Sequence, residues 1–244
     1  MELEYGLVEN ALDSLREAMN YYNEGDEEDN ANQYKFSILL SAHCVELLLK
    51  EILRRNHPAL LFENIDSVKD LQDDDNQTVG YKNAIQRVKK LCGVDLKQYE
   101  TYIDELGRVR NQIQHYKCSI NGEYHKQLMA KTFSAIEFIF RDILGLKFED
   151  YENIIESADI DFLHEDIAAD KARKKDIVKD FEKSENRFRI EYVDGKYLEV
   201  CCPHCGTESL ALESNGKIKC KFCGEEFDNY SELHKADRNC ITQY

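Results

Sequence analysis

The sequence predicts a mainly α-helical bundle followed by a small β-rich unit. Three observations carry that expectation. Among 244 residues there are only two prolines, no tryptophan and 33% charged residues, a profile that favours helices. Apolar residues recur at helical spacing through residues 1–146, then alternate from Arg187 onward. Near the end, two Cys-x-x-Cys pairs stand fourteen residues apart, which marks a compact unit held by side-chain chemistry.

The helices follow in order. Leu7, Ala11, Leu15 and Met19 define one apolar stripe, so residues 2–24 read as an amphipathic helix. The acidic run from Glu24 to Asn30 reads as a loop. A second helix covers 31–55. It is apolar nearly all round from Phe36 to Leu49, as expected of the most buried helix in a bundle. Asn56-His57-Pro58 ends it, because the residue before proline avoids the α region. Residues 66–79, with Asp73-Asp74-Asp75, read as a loop. Further helices are expected at 81–92, 96–117 and 123–144, the last introduced by an Asn121-Gly122 turn.

Beyond residue 147 the chain becomes highly charged, with a basic cluster from Lys171 to Lys175. It reads as a connecting helix with a solvated face. Phe188, Ile190 and Tyr192, then Tyr197 and Val200, alternate around Asp194-Gly195, which predicts a hairpin. A second hairpin is expected from Leu210, Leu212 and Ile218 around Asn215-Gly216, and a closing helix at 229–238. Three segments result: 1–147 helical, 148–186 a charged connector, and 187–244 a small β unit.

In that unit the two pairs read Cys202-Pro203-His204-Cys205-Gly206 and Cys220-Lys221-Phe222-Cys223-Gly224. Each reads as a tight turn with both sulfurs on one side, and glycine supplies the positive φ that closes it. Two such knuckles give a four-thiolate tetrahedral shell for zinc with no open position. Cys202, Cys205, Cys220 and Cys223 are therefore expected to hold one structural Zn2+, and the β unit is expected to be a zinc ribbon. Cys201 competes with Cys202 but lacks the two-residue spacing. A rival shell of Cys220, Cys223, His234 and Cys240 places its histidine two positions early for a finger. Cys44, Cys92 and Cys118 lie in helical patterns and read as core fillers.

The formal net charge is −16, and acidic residues outnumber basic ones both in residues 1–150 and in the remainder. Tight nonspecific nucleic-acid binding is disfavoured, since it rests on neutralising phosphates. Any RNA must be met by a focused patch. No apolar run is long enough to span a membrane. Met1-Glu2-Leu3-Glu4-Tyr5 lacks the basic and apolar regions of a signal peptide. The expectation is a cytoplasmic protein with reduced thiols and no membrane partner.

The helix at 96–117 has a divided surface. At 100° per residue, Tyr99, Tyr102, Leu106, Val109, Ile113 and Tyr116 share an apolar arc. Arg110, Gln114, Gly107, Asn111 and His115 share a second arc about 140° wide. It combines a permanent cation, amides and an imidazole. Gly107 costs about 1 kcal/mol in a helix interior relative to alanine. Its expected use is to let another backbone, a partner helix or RNA come close.

The string Arg110-Asn111-Gln112-Ile113-Gln114-His115 resembles the R-x4–6-H motif of the HEPN (higher eukaryotes and prokaryotes nucleotide-binding) superfamily, including the frequent Asn after the Arg. Ser41-Ala42-His43-Cys44-Val45-Glu46-Leu47-Leu48-Leu49-Lys50 resembles the second helix of many members. The resemblance covers residues 1–146. It implies an up-and-down helical bundle that dimerises through the motif helices. It also implies a metal-independent ribonuclease, with Arg110, His115 and Asn111 as catalytic residues and 2′,3′-cyclic phosphate products. Several members are toxins or antiviral defence effectors in toxin–antitoxin systems, so a protein partner or antitoxin is implied as well. Others have lost catalysis and act as adaptors that bind a nucleotide, RNA or a partner, with the ribbon here as a docking module.

Chemically, 2′-OH attack on phosphate needs a base, an acid and a cation. His115 supplies an imidazole that can serve as base or acid, Arg110 forks onto two phosphate oxygens, and Asn111 orients either. Gln114 and Gly107 support from the same arc. Glu46 is the acidic side chain within the apolar part of the second helix, with His43 and Lys50 on its face. It reads either as an intrahelical pair with Lys50 or as a group orienting Arg110 or His115. In one toxin group a modified Tyr lies two residues past the motif His, where this chain has Lys117. His125 reads as a surface residue at a helix start.

Overall fold

A computed structural model of the chain describes residues 5–28, 30–68, 70–71, 76–97, 99–115, 122–181, 186–191, 197–203, 207–222 and 224–236. The chain divides into two compact units, Met1–Ile167 and Ala168–Tyr244.

The first unit is helical. α1 (Leu7–Glu28) and α2 (Ala31–Asn56) form its most extensively packed pair. Ala11, Leu12, Leu15 and Met19 of α1 are buried, as the stripe predicts, with Ile38, Val45, Leu48, Leu49 and Ile52 of α2. α2 also packs against α3 (Tyr81–Lys90), α4 (Tyr99–His115) and α5 (Gly122–Glu137), so it is the central helix. It ends at Asn56. His57 is extended, and its Nδ1 accepts from the Ala59 N–H to start a short 3-10 turn at Pro58–Leu61.

α1 differs from expectation, running on through Gly25 to Glu28. The ring of Tyr34 in α2 fills the space where a Gly25 side chain would sit, with a Cβ there only 2.7 Å from Tyr34 Cδ1. This glycine serves close helix packing, not a loop. Asn30 caps α2 by accepting from the Asn32 N–H. The Asp73-Asp74-Asp75 stretch and the Asn121 half of the turn before α5 lie outside the described residues.

α5 continues into a single π-helical turn, Phe138–Ile143, with Phe138, Ile139 and Phe140 buried. The directions of three helices follow from their contacts. Arg108 and Glu105 of α4 meet Tyr124 and Lys131 of α5, so these two helices run antiparallel. Ser37 and Ser41 of α2 meet His125 and Met129, so α5 runs parallel to α2. α4 therefore runs antiparallel to α2.

Residues 148–155 are not part of the charged helix. Phe148–Tyr151 is a 3-10 turn, and Phe148, Ile154 and Ile155 are buried, Phe148 stacked on Phe140 at 4.4 Å. α6 starts only at Ser157 and runs to Phe181. Its Leu163 and Ile167 join the first core, and the Tyr22 hydroxyl donates to Asp166 Oδ1 at 2.7 Å.

The second unit holds two small antiparallel sheets. β1 (Arg189–Glu191) pairs with β2 (Tyr197–Glu199), with Ile190 opposite Leu198; the Asp194-Gly195 turn between them lies outside the described residues. β3 (Leu210–Leu212), β4 (Ile218–Cys220) and β5 (Glu226–Phe227) form the other, with Leu210 opposite Cys220 and Ile218 opposite Phe227. β3 and β4 are joined through Asn215-Gly216, as expected, and β5 extends the hairpin by one strand. A short α7 (Tyr230–Ala236) follows. The core comprises Cys202, Leu210, Ile218, Cys220, Phe222, Phe227 and Leu233.

Candidate functional site

α2 and α4 bring the sequence-predicted polar residues together only in part. His43, Glu46 and Lys50 share one face of α2. Lys50 Nζ donates to Glu46 Oε1 at 2.8 Å and to Thr78 Oγ1 at 3.0 Å. The other Glu46 oxygen lies 3.8 Å from Arg110 Nη2 of α4. Glu46 thus pairs with Lys50, as spacing predicts, and also lies near Arg110. Its side chain is only 15% exposed, so a carboxylate there needs both cations. Arg110 Nη1 also donates to Asn111 Oδ1 at 3.4 Å. The Arg110 side chain as a whole retains 29% exposure.

Asn111, Gln114 and His115 are exposed, and His115 closes the described part of α4. Arg110 and His115 are about 7.5 Å apart along the helix axis and about 140° apart around it. The residues after His115, including Tyr116, Lys117 and Cys118, lie outside the described residues.

Gly107 requires a correction. It is buried, and a Cβ on it would come within 2.7 Å of Tyr81 Cε1 of α3. The close approach it permits is made by a ring of its own chain, not by a partner helix or RNA. Tyr81 is anchored there: its hydroxyl donates to the Ile103 carbonyl at 2.9 Å, and burial pushes the phenol well above its ordinary range.

His125 also differs from its reading as a surface residue. It is fully buried, stacked on Tyr34 with centroids 4.1 Å apart, and its Nε2 lies 2.6 Å from Ser37 Oγ. Those partners lie far away in sequence, so local pattern does not reveal them.

Two features escape sequence reasoning. Glu105, on the flank of the apolar arc of α4, is buried with Lys131 at 3.0 Å and accepts from the Tyr124 hydroxyl at 3.0 Å. Lys131 follows Glu105 on the next helix of a hairpin, a cue available only once the hairpin register is known. The second feature is His43, exposed on α2, whose Nδ1 lies 2.9 Å from Ser14 Oγ of α1. Partial burial lowers its pKa, Glu46 opposes this, and Lys50 and Arg110 add to it.

In the second unit, Cys202 and Cys220 are fully buried. The two cysteine turns close alike. The Cys202 N–H donates to Thr207 O and the Cys220 N–H to Glu225 O, each at 2.8 Å, spanning the same number of residues. Gly224 holds φ +76°, and its N–H donates to Cys220 O at 2.9 Å. Ser209 Oγ stands 3.2 Å and Thr207 Oγ1 3.6 Å from Cys220 Sγ. A buried, hydroxyl-lined Cys220 sulfur, with buried Cys202 in a matching turn, suits a thiolate metal ligand. Cys205, Cys223 and Cys240, and the side chain of His234, lie outside the described residues, and among the described residues no metal-holding group of His, Cys, Asp and Glu forms. Lys217, Lys219 and Lys221 are each paired with a carboxylate, Asp228, Glu226 and Glu213 respectively. Cys44, by contrast, is buried in the helical core, and burial raises its thiol pKa well above the ordinary value, which suits a core filler.

Comparison with family models, with curated proteins and with solved structures finds no match to the chain.

Proposed function

We propose that the protein is a metal-independent endoribonuclease of HEPN type. The observation that supports this reading is the exposure of Asn111, Gln114 and His115 on α4, with Arg110 part-exposed on the same helix. Arg110 binds the scissile phosphate and takes up the negative charge that grows on it. Glu46, held by Lys50, aims the guanidinium. His115 handles a proton at the O2′ or at the leaving O5′. Asn111 orients the Arg110 fork. The cluster sets two cations against one carboxylate, a focused patch in an otherwise acidic chain. A homodimer through the motif helices is part of the reading, as is a role in defence or toxin–antitoxin systems with a protein partner. Both follow from the resemblance alone.

In the same reading, Cys202, Cys205, Cys220 and Cys223 hold one structural zinc, which supplies folding energy to the second unit and no chemistry to RNA. The balanced lysine–carboxylate pairs of that unit favour a docking module over an RNA-binding one.

A second reading, a non-catalytic HEPN adaptor for a nucleotide, RNA or protein, is favoured by the engagement of Arg110 with Glu46 and Asn111. One experiment separates the two. Labelled single-stranded and hairpin RNAs are incubated in Mg2+-free buffer with EDTA. Cleavage to 2′,3′-cyclic phosphate ends is expected, with Arg110→Ala and His115→Ala each slowing it by roughly 10²–10⁴-fold. Cleavage that returns only with added Mg2+, or survives both substitutions, means that the Arg110–His115 motif is not the active site and refutes the HEPN-type mechanism. RNA bound but never cut establishes the adaptor.

A further inference from the structure

General acid–base cleavage of RNA needs two proton-handling groups, and the Arg110–His115 motif supplies one imidazole per chain. We propose that His43 of α2 is the second: its Nε2 is the proton acceptor for the attacking 2′-hydroxyl, working beside Arg110 of the same chain. The proposal rests on the ribonuclease reading and adds a residue that the motif does not contain.

The tautomer follows from hydrogen counting. Ser14 Oγ has one hydrogen, and it is donated to the Asn10 carbonyl at 2.9 Å. Both contacts are hydrogen bonds at once only when His43 Nδ1–H, 2.9 Å away, donates to Ser14 Oγ. In that tautomer Nδ1 carries the proton, and Nε2 keeps its lone pair. Ser14 is buried, only 5% exposed, so the anchor is fixed, while His43 itself is exposed. One ring nitrogen is thus tied into the bundle and the other is left to solvent or substrate.

Placement agrees with the role. The charged groups facing His43 are Glu46 and Lys50 from its own helix and Arg110 from α4, while α1 presents the Ser14 hydroxyl. His43 lies one turn toward the α2 N-terminus from Glu46. That is the direction in which antiparallel α4 runs from Arg110 to His115. Partial burial and the two cations outweigh Glu46 and hold the ring's pKa below its ordinary value, which favours the neutral state a base requires.

The step balances as follows. His43 Nε2 takes the 2′-hydroxyl proton as the O2′–P bond forms. The P–O5′ bond breaks with its electron pair on O5′, and O5′ takes a proton from the imidazolium of the partner subunit's His115 in the proposed homodimer, because the same chain's His115 stands about 140° around α4 from Arg110. The products are a 2′,3′-cyclic phosphate and a 5′-hydroxyl. Water then returns each imidazole to its starting state.

The test compares cleavage of one labelled RNA by wild type, His43→Asn, His43→Gln, Arg110→Ala and His115→Ala across pH 5–9. The expectation is a loss of roughly 10²–10⁴-fold in both His43 variants with an unchanged melting temperature. The wild-type acid limb should lie below the ordinary histidine range and vanish in these variants. Added imidazole should restore rate to His43→Gly. Loss of cleavage in Arg110→Ala and His115→Ala with full rate and an intact acid limb in both His43 variants overturns the role of His43 and leaves the ribonuclease reading standing. Slowed cleavage that keeps the acid limb and ignores imidazole makes His43 structural and also overturns the proposal. Wild type that cuts no RNA overturns both.

Discussion

A glycine offers nothing to a helical wheel except its own position, and Gly107 shows what that leaves out. Its azimuth on α4 places it among polar residues, yet Tyr81 from α3 closes over it, anchored at its far end to the Ile103 carbonyl. The ring cannot swing away without leaving a buried hydroxyl unpaired. Gly107→Leu should therefore destabilise the first unit by about 1–3 kcal/mol through overpacking, read as a lowered melting temperature. An unchanged or raised melting temperature would mean that the Gly107 face is open and Tyr81 does not fill it. Single residues were legible where the signal was local. Glu46 faces Lys50 one turn on, as spacing alone requires. They were illegible where the partner came from elsewhere: His125 is decided by Tyr34 and Ser37 of α2, and His43 by Ser14 of α1.

Helices were legible as elements because each carries its own period. α2 was readable as the central helix from its all-round apolarity, α3 begins and ends within a few residues of the pattern, and α4 begins within a few residues of it. The second unit's hairpins were marked by turn dipeptides. What the pattern could not give is register between helices, and that register decides which polar residues are tolerated inside. Glu105 and Lys131, with side chains 8% and 5% exposed, meet only because α4 and α5 form an antiparallel hairpin. Tyr124 adds a second hydrogen bond to the carboxylate. Removing one partner leaves a buried charge uncompensated, which costs about 3–5 kcal/mol. Lys131→Met should lower stability by that order in chemical denaturation. The double variant Glu105→Leu/Lys131→Met should recover most of the loss, since an apolar pair of similar volume has no charge to desolvate. Equal losses in the single and double variants would show that packing, not charge, governs this position.

At the scale of the whole chain, two cores stabilise by different means. The first buries long apolar side chains from several helices. The second rests on short strands and a few residues around Cys202 and Cys220, and small units of this kind usually need a metal or cross-link. The formal charge of −16 adds to that need, since like charges oppose compaction. Zinc is the proposed compensation, with Cys205 and Cys223 completing the shell. Elemental analysis of purified protein should then give one zinc per chain. Cys220→Ser should abolish it and remove the second unit's protection from hydrogen exchange. Far-UV helicity and the protection of α1, α2, α4 and α5 should persist, because those helices share the first unit's own core. Ser209 and Thr207, which stand beside the Cys220 sulfur, should matter in proportion. Ser209→Ala removes one hydrogen-bonding group next to the sulfur and should weaken zinc retention against a chelator by roughly 10-fold or more. Full zinc occupancy in Cys220→Ser would exclude this ligand set and the rival shell alike, since both contain Cys220. Absence of zinc from wild type, with the second unit still protected, would show that its apolar core suffices alone.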